Sequence, residues 1–367
     1  MKKILFLFLF LISKNVLSQD IELIFDKFID SFYGHTIRDI QVLNGLIYIL
    51  GKEELADKNT NNFYLTIVDF AGNIKSQTKI EKDPEIFLND IAKNFNSLLI
   101  TGSSFLPGED EDMQDYVLLY DKNLKLLWEK KLEIKHEGKT IGLPYDDKFI
   151  IATNNNSSII LYILDLKGNI ITKKELPTTN GGLLEGFYQL DDGKILLVWW
   201  SMGSNTQGSG QSNMFVLSKD LEILKQQIIS INRIDYLKNS SYPENIKPLS
   251  NQKIALLWTG IPPLTMFANP FFNSIINIEH VRHDIAFQDI ESFKDDTFVY
   301  SGKLGNESAV FLINDSNIIA KLTIGKMGIW SHNKIFRLSD EDYIIVSDIT
   351  RANDFQSNIK IARLRIK

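Results

Sequence analysis

One segment recurs seven times along this 367-residue chain: a short strand with a central apolar residue, a turn, and a second, more apolar strand. Most copies continue with a third strand, a tight polar turn and a fourth strand. The shared apolar positions (Ile40, Ile91, Ile141, Phe187, Ile246, Ile290 and Ile335) lie 44 to 59 residues apart. Together these observations predict an all-β fold, a seven-bladed β-propeller with four antiparallel strands in each blade. A two-sheet sandwich would not repeat its turn chemistry, and a β-helix would repeat at a shorter period.

The inner pair of strands reads "RDIQVLNGLIYILG" in the first copy and "NDIAKNFNSLLITG" in the second. The third and fourth strands follow in stretches such as "FYLTIVDFAGNIKSQTKI" and "IILYILDLKGNIITKKEL". Asp69, Asp121, Asp165, Ser218 and Asn314 share one column at the turn between them. Residues of this type bond the backbone two positions on and so start turns, a structural role.

The seventh copy supplies only three strands before the chain stops at Lys367. Residues 21–30, "IELIFDKFID", match the outer strand of the fourth copy, "LEILKQQIIS", in their apolar positions. Ile21, Ile24, Phe25, Phe28 and Ile29 also fall at helical spacing. The repeat count favours the strand: residues 21–30 are expected to complete the last blade and close the ring.

The first 18 residues have the three parts of a secretion signal: Lys2 and Lys3, an apolar run from Ile4 to Ile12, and a polar end with Val16 and Ser18 at the −3 and −1 positions. Residues 19–367 are expected to form one propeller domain in the periplasm or outside the cell. Removing three lysines and no acid takes the formal charge from −6 to −9, which argues against nucleic acid as a partner. The chain has no cysteine, so it has no disulfide, thiolate metal site or lipid-anchor cysteine. No other run is apolar enough for a membrane span.

The turns "DFAGNI", "DLKGNI" and "YDKNLKLLW", the last carrying Trp128, resemble the repeats of exported Bacteroidetes-type β-propeller proteins, over residues 35 to 367. That resemblance implies a propeller fold and export, and points to no enzyme family. The Trp-Asp series, the sialidase Asp-box and the kelch double-glycine series are all missing. No nucleophile elbow or phosphate loop is present.

The long connections are expected on one face, mostly between second and third strands, where a rigid scaffold presents functional loops. Three features there invite chemistry. Asp39, Asp90 and Asp289 share one column at the start of the inner strand, with Asn245 and Thr140 in other copies and Glu185 one position earlier in the fourth. If they face the channel mouth they would form a calcium site or, with His332, an acid–base group; otherwise each caps a backbone turn within its own blade. The loop "PGEDEDMQD" offers Asp110, Asp112 and Asp115 as calcium ligands. The stretch "IPPLTMFANPFFNS" offers Leu264, Met266, Phe267, Phe271 and Phe272 as an apolar binding patch, or as a plug over the channel. His280 and His283, three apart, would lie on opposite faces of a strand. The expected function is a binding module or scaffold presenting its loops to a protein or glycan. The alternative is a hydrolase or lyase acting on a sugar or lactone at the channel mouth, with calcium as a candidate cofactor.

Overall fold

Among the residues described by the computed structural model, 28 strands, numbered β1 to β28 in chain order, form seven four-stranded antiparallel sheets. The structure describes residues 20–367 apart from 30–34, 54–60, 83–85, 95, 106–112, 136–138, 155–157, 179–182, 191, 203–209, 231–244, 250–252, 259–263, 270–273, 280–284, 295–296, 315–316, 327–332 and 351–356. The expected signal segment lies outside the described residues. Six sheets are consecutive in sequence and the seventh joins the two ends of the chain, as a seven-bladed propeller requires.

Seven apolar clusters hold the blades together, one at each interface between neighbours. Blade two shows how the sequence does this. Along β7 (Ser97–Phe105) and β8 (Met113–Asp121), Leu98, Ile100, Tyr116 and Leu118 pack on blade one, while Leu99, Val117 and Leu119 pack on blade three. Successive strand residues point to opposite faces, so a strand covered on both faces reads as an unbroken apolar run. The outer strands are covered less. Leu127, Ile171 and Leu224 near their starts are about half exposed, and their sequences mix lysines with aliphatics, which discourages pairing at an open edge.

At the turns into the outer strands, Asp69 Oδ1 accepts the amides of Ala71 and Asn73 at 2.9 and 2.8 Å. Asp121, Asp165 and Ser218 repeat the pattern. Asn314 departs from it: its side-chain amide donates to Thr297 Oγ1 at 2.9 Å. Gly72 and Gly168 take positive φ at the fourth turn residue, and Leu124 and Leu221 adopt the same left-handed conformation in blades two and four.

The last blade is closed as expected. β1 (Ile21–Phe28) pairs antiparallel with β28 (Ser357–Ile366), placing an N-terminal strand outside three C-terminal ones. The helical spacing has a physical origin. A register shift between Leu23 and Phe25 resets the alternation. Ile21 and Phe28 therefore pack with blade six, whereas Phe25 and Ile29 pack with blade one. What reads as one helical stripe is two strand faces joined across a bulge. Lys360 adds a polar lock: its amine pairs with Asp26 and donates to Ile324 O of blade six at 2.8 Å.

Two sequence readings are corrected. In blade three, Ile141 pairs with Ala152, so Gly142, not Ile141, occupies the column of Ile40 and Ile91. That blade lacks the inner-strand bulge of its neighbours, so counting residues slips by one. In blade five, Leu264–Asn269 is itself the third strand, β20, between β19 (Ile254–Trp258) and β21 (Ser274–Glu279), not an exposed loop. The blade lacks the Asp-x-x-Gly turn that follows the third strand in blades one and three, so the strand reads in sequence as part of a long connection.

A chain beginning at residue 34 lacks β1, and with it Ile21 and Phe28 from the interface with blade six and Phe25 and Ile29 from the interface with blade one. It is expected to lose cooperative melting by calorimetry; an unchanged transition would show that the closing strand is dispensable.

Candidate functional site

The inner strands of all seven blades surround a central cavity of about 440 Å³. Its lining carries four acids (Asp39, Asp90, Glu185, Asp289) and four lysines (Lys93, Lys139, Lys247, Lys334), together with Tyr188, Asn245 and Phe336.

A repeated backbone irregularity aims the acids. In β2 (His35–Leu43), β6 (Ile86–Lys93) and β22 (Ile285–Ser292), the register with the second strand jumps by one just before Asp39, Asp90 and Asp289. Opposite each bulge stands a glycine: Gly51, Gly102 and Gly302 pair with Ile37, Leu88 and Phe287. A Cβ at Gly102 would lie 2.0 Å from Phe87 O, and one at Gly302 would lie 2.3 Å from Ala286 O. At Gly102 and Gly302 the facing backbone leaves no room for a Cβ, and the bulge directs the aspartate toward the next blade. In β14 (Leu183–Gln189) the bulge falls at Glu185, and Gly186 occupies the aspartate column.

Each aspartate then bonds across a blade boundary. Asp39 Oδ2 accepts the Ile91 amide at 3.0 Å, Asp90 Oδ2 the Gly142 amide at 2.9 Å, and Asp289 Oδ2 the Ile335 amide at 2.8 Å. These are ties between neighbouring blades, not caps within one blade. Tyr188 makes a similar tie, its hydroxyl donating to Ile246 O. Asp289 is the most fully engaged, also accepting the Ile290 amide, Asn245 Nδ2 and Lys247 Nζ. Lys247 spans three blades. From blade five it pairs with Glu291 at 2.7 Å and Asp289 at 3.3 Å in blade six, and donates to Ile335 O in blade seven at 2.8 Å.

The remaining acids are less well neutralised. Burial and the neighbouring charge of Asp39 push the Asp90 carboxyl up, while Lys139 and the Gly142 amide oppose this in part. Burial raises Glu185 to about 7, with Lys139 pulling the other way. Tyr188 is held well above the usual phenol range by burial and the surrounding acids.

The structure thus brings Asp39, Asp90, Asp289 and Glu185 to one cavity. His332, Asp110, Asp112, Phe271 and Phe272 lie outside the described residues. Asp115 sits in β8, fully buried, accepting a hydrogen bond from the Thr140 hydroxyl of the next blade. Leu264, Met266 and Phe267 belong to β20. Among the described residues, no group of three or more His, Cys, Asp or Glu side chains is arranged to hold a metal ion, and no helix is long and apolar enough to cross a membrane. The sequence reading missed Lys93, Lys247 and Tyr188. Lys247 and Tyr188 lie two positions beyond the aspartate column, where strand alternation returns a side chain to the same face.

No family profile matches the chain, and no curated protein matches it in sequence. Solved structures do. A protein of unknown function from Dyadobacter fermentans aligns with TM-score 0.54 and 10% identity, over 95% of this chain and 99% of that one. The Dos1 propeller aligns with TM-score 0.52 and 11% identity, over 90% and 78%. The β-propeller domain of the Trilobed protease from Pyrococcus furiosus, described as having an open velcro topology, aligns with TM-score 0.51 and 12% identity, over 92% and 94%. These likenesses show the β-propeller fold, and the fold by itself does not specify a function.

Two expectations follow from the charges. Lys247→Met leaves Asp289 and Glu291 without their cation and should cost about 3 kcal/mol in denaturant unfolding. Glu185 is raised on folding, so the folded state holds its proton more tightly than the unfolded chain. Its contribution is present at acid pH and is lost as pH rises through about 7. Melting temperature measured between pH 5 and 8 should therefore fall less steeply in Glu185→Gln than in the native chain.

Proposed function

We propose that the protein is an exported propeller module that binds a protein or glycan partner at the central cavity and the loops around it. The observation that carries this reading is the use made of the inner-strand acids. Asp39, Asp90 and Asp289 tie blades together, which builds a rigid polar cavity whose remaining charged groups face inward. A cavity of this size, with convergent polar groups on fixed strands, suits the end of a sugar chain or a polar peptide. The N-terminal signal supports export, and N-terminal sequencing of the secreted protein should begin at Gln19.

A second reading, a hydrolase or lyase acting on a sugar or lactone, draws on the raised carboxyls of Asp90 and Glu185. Such groups are poised to exchange protons near neutral pH. Calcium has no described ligand set in either reading.

Glycan-array screening followed by thermal shift separates them. A true ligand at one hundred times its Kd should stabilise the fold by about 2.7 kcal/mol, and Glu185→Gln should weaken that shift. Recovery of the glycan unchanged supports the binding module; a cleaved product by mass spectrometry supports the enzyme. No shift with any glycan or peptide library would overturn the cavity as the binding site.

A further inference from the structure

Two lysines of the cavity wall are held in opposite electrostatic states. Burial alone would lower Lys247, but Asp289 and Glu291 outweigh it and hold the amine above its ordinary value. Lys93, the last residue of β6, has no such neighbours. Its amine lies 3.7 Å from the centre of the Tyr48 ring and is hydrogen-bonded to the Tyr48 hydroxyl. Among the described residues no ion pair joins it to a carboxylate; Asp39, Asp90, Glu185, Lys139 and Lys334 share the cavity without reaching it. Burial pulls the Lys93 amine down to about 8. The aromatic ring favours the charged form and opposes that shift in part, without supplying the full charge of a carboxylate. Tyr48, on β3 (Leu46–Glu53), is itself buried, and burial raises its hydroxyl, which keeps its proton at neutral pH.

We propose that Lys93 is a carbonyl-capturing amine, a site where an aldehyde or ketone such as an open-chain sugar forms a Schiff base inside the cavity. The chemistry needs no co-reactant. The neutral amine attacks the carbonyl carbon and a C–N bond forms. The two hydrogens of the amine then leave with the former carbonyl oxygen as water, and a C=N bond remains. The Tyr48 hydroxyl is placed to hand on a proton during that transfer. A partly desolvated lysine with no carboxylate paired to it is a recognised route to such reactivity.

This inference goes beyond the binding reading and does not depend on it, because the aldehyde need not be the partner. The test is short exposure of the full secreted chain to glyceraldehyde and sodium cyanoborohydride at pH 7, with adducts mapped by peptide mass spectrometry. An amine titrating near 8 is ~10% neutral at pH 7, against well under 1% for a lysine of ordinary pKa near ~10.4. Lys93 should acquire the adduct at least ten-fold faster than Lys247 or the exposed Lys367, with a rate half-maximal near pH 8. Lys93→Arg should remove that adduct without changing the melting temperature. Modification of Lys93 no faster than of Lys367, or a midpoint above pH 10, would overturn the proposal, whatever the glycan screen finds.

Discussion

Where their side chains are described, the second and third strands of the blades are apolar on both faces, and that constraint governs the rest of the molecule. A sheet with two apolar faces is stable only between two neighbours, so each blade requires the next and the row has to close into a ring. The seven interface clusters are the direct result. The last interface is the demanding one, because its partners lie at opposite ends of the chain. β1 meets the demand by pairing with β28, and Ile344, Val346, Ile359 and Ile361 then pack against Ile40, Ile47 and Ile49 of blade one.

Closing the ring leaves an axial space where seven inner strands converge, and the polar chemistry collects there. The bulge, the facing glycine and the aspartate act as one unit: the glycine makes room, the bulge turns the strand, and the carboxylate takes the next blade's amide. A hydrogen bond to a carboxylate contributes about 1.5 to 3 kcal/mol, so these ties reinforce what apolar packing already holds. They also sit in a confined space where burial raises the carboxyls of Asp90 and Glu185. Stability and chemistry share the same residues at this site. Lys247 and Lys93 show how local the outcome is: both are cavity lysines, yet one is held charged by two carboxylates and the other faces a phenol.

Much of this architecture was legible in advance. Alternating apolar residues with turn residues at a fixed period report blade number, because each blade faces the same packing problem and solves it with similar residues. The bulge in β1 made two strand faces resemble a helical stripe, yet the repeat count identified the closing strand correctly. The readings that failed did so where the periodicity is broken. The missing bulge in blade three displaced Ile141 by one position, and blade five, without its turn marker, hid β20 inside an apparent loop. Asp115 read as a loop acid because sequence does not mark where a strand begins among polar residues.

Sequence alone determined the fold class, the seven blades, the closing strand and the aspartate column, all set by local patterns that repeat. Only the tertiary structure decided what the aspartates do, since their partners are amides 46 to 52 residues away on the next blade. It also decided which lysine meets carboxylates and which meets Tyr48. Those pairings depend on how seven strands meet at one axis, a convergence of residues far apart in the chain that no local pattern encodes.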